Sequence, residues 1–123
     1  MPARLLIVDD HEIVRSGVRK LFTNSDSLEV CGEAKDGMEA IRMVPQLLPD
    51  VVILDLSMPG MNGFETAEKI RRIAPSIRIV IFSIHEIPYT ARWVGADAFV
   101  SKSSSLQDLV FTVNAVLRSS KDA

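Results

Sequence analysis

The stretch that decides the fold is Val51-Val52-Ile53-Leu54-Asp55, an apolar and largely β-branched run that ends in an acid. A run without polar alternation predicts a strand buried on both faces, as in parallel sheets. Before it, residues 37–48 have apolar side chains at helical spacing, and Pro49 ends that pattern. After it, residues 58–63 form a turn-rich loop that leads into a helical pattern at residues 64–73.

The same alternation continues outward in both directions. Strands are predicted at residues 5–8, 28–34, 77–82 and 98–100, and helices at residues 12–22, 88–94 and 106–117. Five strands that alternate with five helices predict an α/β domain whose parallel sheet is covered on both faces. The residues expected to face the core from the first and last helices are Ile13, Val14, Val18, Leu21, Phe22, Leu106, Leu109, Val110, Val113 and Leu117.

Composition limits the classes of function. The 123 residues are 47% hydrophobic and 24% charged, a balance that supports one globular domain. The net charge of -2 argues against direct nucleic-acid binding by this domain, which usually needs a basic face. No apolar run reaches the roughly 20 residues of a membrane helix. The single Cys31 cannot form an internal disulfide, so we expect a reducing, cytoplasmic setting.

Chemically active side chains follow four of the predicted strands. Asp9 and Asp10 follow the first strand, Asp55 the third and Ser83 the fourth, and Lys102 comes shortly after the fifth. Because ligands of open parallel sheets bind at the carboxyl ends of the strands, we expect these side chains to meet at one edge.

This group of side chains predicts phosphoryl chemistry with a metal ion. Neighbouring carboxylates repel one another, and an oxygen-rich, acidic site suits Mg²⁺. A carboxylate can also accept a phosphoryl group and form an aspartyl phosphate. Lys102 and the metal would then offset the charge of that group, and the Ser83 hydroxyl could donate to one of its oxygens.

Motifs along nearly the whole chain resemble the receiver domains of two-component response regulators, in particular regulators with a LuxR-type helix-turn-helix output. The resemblance rests on LLIVDDH at residues 5–11, GEAKDG at 32–37, LDLSMPGMNG at 54–63, GADAF at 95–99 and VSK at 100–102. It implies a doubly wound, flavodoxin-like (βα)5 fold with strand order 2-1-3-4-5.

The resemblance also implies a metal site around the acceptor. It makes Asp55 the phosphoacceptor. It assigns the Mg²⁺ ligands to the side chains of Asp10 and Asp55 and the backbone carbonyl of Ser57, with Asp9 acting through water.

A second set of residues is implied to read the phosphoryl group. Ser83 and Lys102 sense it, and Phe99 stands at the position of the switch aromatic. Ser57 and His85 are candidate modulators of phosphoryl lifetime.

The resemblance implies partners outside this chain. The phosphoryl donor would be a sensor histidine kinase, and phosphorylation would favour a homodimer. Residues 1–118 would form the receiver domain, and the polar tail at residues 119–123 would begin a linker to a C-terminal helix-turn-helix DNA-binding domain that controls transcription.

The chain departs from the family pattern at two places. Ser103 follows Lys102 where receivers commonly have proline, so a cis bond there is not assumed. The spacing from Ser83 to Phe99 is shorter than usual by most of a helical turn. We therefore expect a short, weakly protected helix at residues 88–94 that carries Trp93 and begins at Pro88.

Purely structural roles remain open for these residues. Asp9 and Asp10 could cap a helix, Lys102 could be a surface charge, and Ser83 could be a strand-end hydroxyl without a ligand. Phe99 could be an ordinary core residue.

Two other functions also remain open. One is a receiver that only docks proteins. The other is a Mg²⁺-dependent phosphohydrolase, although Ser57 stands where such enzymes usually carry a second acid.

Overall fold

The computed structural model describes residues 2–84 and 95–118. The strands are β1 (Ala3–Val8), β2 (Leu28–Ala34), β3 (Val51–Leu54), β4 (Arg78–Ser83) and β5 (Ala98–Ser101). The helices are α1 (Glu12–Phe22), α2 (Gly37–Leu47), α3 (Gly63–Ile73) and α4 (Leu106–Arg118). None of these helices is long and apolar enough to cross a membrane.

The five strands form one parallel sheet, as their apolar pattern predicted, in the order β2-β1-β3-β4-β5 that the resemblance implied. The chain winds outward from β1 to β2, then crosses back to β3 on the other side of β1. The carboxyl ends of β1 and β3 therefore flank the point where the winding reverses. Such a point is where open α/β sheets bind their ligands.

Alternate residues of the central strands enter two separate apolar layers. On one face, Leu6, Val52 and Ile79 pack with α2 and α3, whose buried residues include Val44 and Ile70. On the opposite face, the buried residues include Leu5, Ile53, Val80, Phe22 and Leu109, from the sheet, α1 and α4. Because both faces of the sheet are covered, these strands lack the polar alternation of a half-exposed strand.

Side-chain caps set the start of two helices. The Asp36 carboxylate accepts a hydrogen bond from the Glu39 N–H at 2.8 Å, and the side-chain Oδ1 of Asn62 accepts one from the Glu65 N–H at 2.9 Å. Each satisfies a backbone donor that has no partner within its own helix. Asn62 thereby fixes where α3 begins after the loop that follows Asp55.

Some local expectations are wrong. Ile13 was expected in the core, but it is 87% exposed because it lies on the outer face of α1. Leu106 is half-exposed because it begins α4, before the helix packs on the sheet. α2 continues through Pro45 and ends at Leu47, and the left-handed Leu48 follows it.

Several expectations fall outside the described residues. These are the short helix at residues 88–94 with Pro88 and Trp93, the modulator His85, and the tail at residues 119–123. Within the described residues no peptide bond is cis, so the bond between Lys102 and Ser103 is trans.

Candidate functional site

Two backbone hydrogen bonds carry acidic residues just past the ends of the central strands. The Asp9 N–H donates to the Ala34 carbonyl and the Asp55 N–H donates to the Val8 carbonyl, both at 3.0 Å. These bonds extend the ladder by one residue and hold both backbones firmly. Both acidic residues are buried, and Asp55 is only 3% exposed.

Lys102 brings a positive charge to the same edge from the end of β5. Its Nζ lies 2.7 Å from Asp9 Oδ2 and 3.5 Å from Asp55 Oδ1. It is also 5.8 Å from the centre of the Phe82 ring. The ammonium therefore pairs most closely with Asp9 and stands within reach of a group placed on Asp55.

The acids and His11 form a cluster whose ligand atoms lie close enough together to share a cation. Ligand atoms from Asp9, Asp10, His11 and Asp55 all lie within 4.8 Å of one another. Asp10 Oδ1 is buried and accepts no hydrogen bond within the described chain, although His11 Nδ1 is 3.1 Å away. A buried carboxylate oxygen without a donor is costly unless a cation or water satisfies it. The hard oxygen donors here fit Mg²⁺.

Burial and repulsion act on the acidity of Asp55. Loss of hydration is the largest cause that raises the pKa of its carboxyl, and the nearby Asp9 carboxylate raises it further. The Lys102 ammonium and the Ser57 backbone N–H act in the opposite direction. A bound cation would favour the charged form of Asp55 for the same electrostatic reason as Lys102 does.

The backbone after Asp55 is held by a close approach from α3. The Gly63 N–H donates to the Leu56 carbonyl at 3.0 Å. A Cβ on Gly63 would overlap the Asp55 carbonyl oxygen and lie 2.6 Å from the Leu56 Cα. Glycine is therefore required for this contact between α3 and the backbone of Asp55 and Leu56. Ser57, which follows Leu56 in the loop before α3, is exposed.

The remaining predicted residues lie around the same edge. Ser83 is fully buried at the end of β4, and its carbonyl accepts the Lys102 N–H at 2.9 Å. Phe99 is half-buried against the core layer that α2 and α3 cover. α1 has His11 as its N-cap with no side-chain capping bond, and Asp9 Oδ1 instead accepts the His11 N–H at 2.9 Å.

Sequence reasoning gave no role to Arg15, which supports the acidic edge from α1. Its Nη1 donates to the Asp9 carbonyl at 2.6 Å, and its Nε donates to Glu33 at 3.1 Å. Glu33 also binds Arg19 at 2.6 Å. The closeness of His11 to both acids was likewise not predicted, and its position next to Asp10 was the only sequence signal.

Comparisons with known proteins agree with this geometry. The response regulator receiver domain family matches residues 5–114. The nitrate/nitrite response regulator NarL of Escherichia coli K12 is 42% identical over 112 residues, which cover 89% of this chain and 52% of NarL. The chain thus spans about half the length of the curated relatives it matches.

Solved structures give the same assignment. A LuxR-family two-component response regulator from Aurantimonas sp. SI85-9A1 has a TM-score of 0.89 and 38% identity, covering 95% of this chain and 86% of that one. RcsB from Salmonella enterica serovar Typhimurium, bound to promoter rprA with the phosphomimetic BeF₃⁻, has a TM-score of 0.86 and 29% identity. That match covers 93% of this chain and 67% of RcsB. With its sheet order, its acidic edge and these similarities, the chain belongs to the response regulator receiver domain family.

Proposed function

We propose that this chain is a phosphorylation-dependent switch whose phosphoacceptor is Asp55. The observation that carries the proposal is the position of its buried carboxylate. Asp55 lies at the carboxyl end of a central strand, beside two other acids and 3.5 Å from the Lys102 ammonium. A carboxylate oxygen can attack a phosphorus atom, and the bond to the donor's leaving group breaks as the aspartyl phosphate forms.

Asp10, Asp55 and the Ser57 carbonyl are the proposed ligands of Mg²⁺, with Asp9 acting through water. The orphaned Asp10 Oδ1 and the clustered carboxylates support this assignment. When bound, the cation would neutralise charge on the transferring group. Asp9 also holds the Lys102 ammonium at 2.7 Å, which keeps a positive charge at the site.

Lys102 and Ser83 are the proposed sensors of the phosphoryl group, and Phe99 is the proposed switch aromatic. A phosphoryl group on Asp55 offers Lys102 oxygens with more negative charge than a carboxylate has, so the ammonium gains a contact specific to the phosphorylated state. The Lys102 N–H donates to the Ser83 carbonyl, so a shift of one backbone would displace the other.

The proposed partners come from the relatives. A sensor histidine kinase is the proposed donor, and the proposed output is transcription through a DNA-binding domain that follows residues 1–118. RcsB supports the output, since its structure with promoter DNA contains the phosphomimetic BeF₃⁻. A homodimer that forms on phosphorylation stays a prediction.

Incubation with Mg²⁺ and acetyl phosphate tests the acceptor. We expect intact-mass spectrometry to find one added phosphoryl group on the wild-type chain and none on Asp55→Asn. The matched control is Asp50→Asn, because Asp50 precedes the same strand at its opposite end. Labelling that survives in Asp55→Asn, or that is lost in Asp50→Asn, would contradict the assignment.

Metal titration tests the ligand set separately. We expect Asp10→Ala to weaken Mg²⁺ binding far more than Ser57→Ala, since alanine at position 57 keeps the backbone carbonyl. Calorimetry without any phosphoryl donor gives the two affinities. Equal losses of Mg²⁺ affinity in the two variants would show that the Ser57 side chain, rather than its backbone carbonyl, contributes to the site.

A further inference from the structure

Arg71, in the last turn of α3, joins several parts of the chain through one guanidinium group. Its Nε and Nη2 donate to the Gly95 carbonyl, and its Nη1 donates to the carbonyls of Pro75 and Ile77. Nη2 also lies 2.8 Å from Asp97 Oδ2. With a side chain only 22% exposed, Arg71 makes a partly buried, charge-assisted network rather than a surface ion pair.

Asp97 connects Arg71 to strand β4 of the sheet. Its Oδ2, which binds Arg71, also accepts the Ile79 N–H at 2.7 Å. Its own N–H donates to the Ile79 carbonyl, also at 2.7 Å. The residue just before β5 is therefore fixed to β4 by its backbone and its side chain, and Arg71 fixes the carboxylate that makes the second bond.

β5 depends on such anchoring more than the other strands do. It has four residues and pairs with β4 alone, from Ala98 opposite Val80 to Ser101 opposite Ser83. Lys102 follows directly. A strand advances about 3.3 Å per residue. A shift of β5 by a fraction of that step would therefore lengthen the distances from the Lys102 ammonium to Asp9 and Asp55 and weaken both ion pairs.

We propose that Arg71 is a positioning residue that acts through Asp97 and β5 to hold the Lys102 ammonium at the phosphoacceptor site. This inference rests on the proposed function, in which Lys102 contacts a phosphoryl group on Asp55. α3 suits this role because its first residue, Gly63, packs on the Asp55 backbone. One helix therefore contacts the acceptor at its start and anchors the strand of the sensing lysine at its end.

The proposal separates two kinds of binding. The proposed Mg²⁺ ligands Asp9, Asp10 and Asp55 follow β1 and β3, which pair with strands on both sides. Their backbone positions are set by these pairings rather than by β5. Removing Arg71 should therefore weaken binding of a phosphoryl analogue, which needs Lys102, and leave Mg²⁺ affinity unchanged.

Five forms of the 123-residue chain test this. They are the wild type, Arg71→Ala, Lys102→Ala, the double variant, and Arg72→Ala as matched control. Arg72 is the exposed neighbour of Arg71, and its ion pair within the described residues is with Glu68. Calorimetry measures Mg²⁺ affinity. Fluorine NMR in the presence of Mg²⁺ measures the affinity for BeF₃⁻.

We expect Arg71→Ala to weaken BeF₃⁻ binding about three- to tenfold, toward the lower end of the coupling found between residues of one hydrogen-bond network, with Mg²⁺ affinity and the Arg72→Ala control unchanged. Lys102→Ala should weaken it at least as much. The double variant should bind BeF₃⁻ as Lys102→Ala does, since Arg71 has nothing left to position.

Each alternative result has a distinct meaning. Equal losses of Mg²⁺ and BeF₃⁻ affinity in Arg71→Ala, or full additivity in the double variant, would overturn the positioning role while leaving the acceptor site intact. A wild-type chain that binds no BeF₃⁻, or a Lys102→Ala variant that binds it normally, would instead overturn the proposed function.

Two milder variants keep the test decisive if Arg71→Ala does not fold. Arg71→Lys keeps the charge but cannot reach the carbonyls of Gly95 and Ile77 together. Asp97→Asn keeps an acceptor for Ile79 and weakens the pairing with Arg71. Both should lower BeF₃⁻ affinity less than Lys102→Ala does, again without a change for Mg²⁺. Wild-type BeF₃⁻ affinity in both would contradict the proposal.

Discussion

The two edges of the sheet use charge in opposite ways. The amino ends of the strands form the opposite edge, the amino edge, where arginine side chains donate to backbone carbonyls. Arg4 donates to the Leu47 carbonyl and Arg78 to the Val116 carbonyl. Arg71 donates to the carbonyls of Pro75, Ile77 and Gly95. At the carboxyl edge, the Lys102 ammonium contacts the carboxylates of Asp9 and Asp55, and Asp10 lies in the same acidic cluster, so negative charge is in excess.

The difference lies in whether the polar groups have complete sets of partners. The amino-edge guanidinium groups satisfy carbonyls that the ends of helices and loops leave open, which stabilises the fold. The carboxyl edge keeps a buried oxygen of Asp10 that receives no hydrogen bond from residues 2–84 or 95–118, and a buried Asp55 whose carboxyl pKa is raised. Buried acidic groups without a full set of partners lower the stability of the metal-free fold, but they suit a site that takes up a cation and a phosphoryl group.

The largest expected effect comes from the backbone of the carboxyl edge. Gly63→Ala should destabilise the chain by about 3 kcal/mol, because the new Cβ would overlap the Asp55 carbonyl. Urea unfolding measures the loss. Gly17→Ala is the matched control, since nothing lies within 4 Å of its Cβ position in α1, and alanine there should stabilise by about 0.5–1 kcal/mol. Similar effects at both positions would show that the carboxyl-edge backbone is not rigid.

A smaller effect is expected at the amino edge. Arg4→Met keeps an apolar stem but removes the bonds to the Leu47 carbonyl, so the free energy of unfolding should fall by about 1.5–3 kcal/mol. Arg72→Met removes an exposed ion pair with Glu68 and should lower the free energy of unfolding by about 0.3–0.5 kcal/mol. If the two variants lose the same stability, the amino-edge arginines are not structural.

The smallest expected effect has the opposite sign. In metal-free buffer at neutral pH, Asp55→Asn should be more stable than the wild type, because the amide carries no charge to be buried among the neighbouring acids. The raised pKa means that the folded state holds the Asp55 proton more tightly than the unfolded state does. The stability that Asp55 contributes is therefore fully present below its unfolded pKa and is lost as the pH rises through the folded pKa.

The pH dependence gives the measurement. The advantage of Asp55→Asn in urea unfolding should shrink as the pH falls toward the ordinary carboxyl pKa, and added Mg²⁺ should reduce it at neutral pH by stabilising the wild type. An advantage that stays constant over this range would mean that the carboxylate charge is not strained in the fold.

Much of the site followed from the sequence because its residues directly follow strands. Asp9, Asp10 and Asp55 could be placed at one edge once the strands were recognised, and the structure places them there with Lys102. The exposure of Ile13 was mispredicted because helical spacing shows which residues share a face, but several faces of α1 carry apolar side chains. The close contact of Gly63 with Asp55 was not predicted, since a glycine after a turn-rich loop can have many common roles.

The sequence by itself determined the alternation of strands and helices and the edge at which the acids meet. Both depend on local periodicity and on the order of residues along the chain, which can be read without knowing the tertiary contacts. Only the tertiary structure decided that Lys102 pairs with Asp9, 93 residues away, more closely than with Asp55. It alone also revealed the partners of Arg71, because every residue offers a backbone carbonyl and only folding selects the carbonyls that a given guanidinium group reaches.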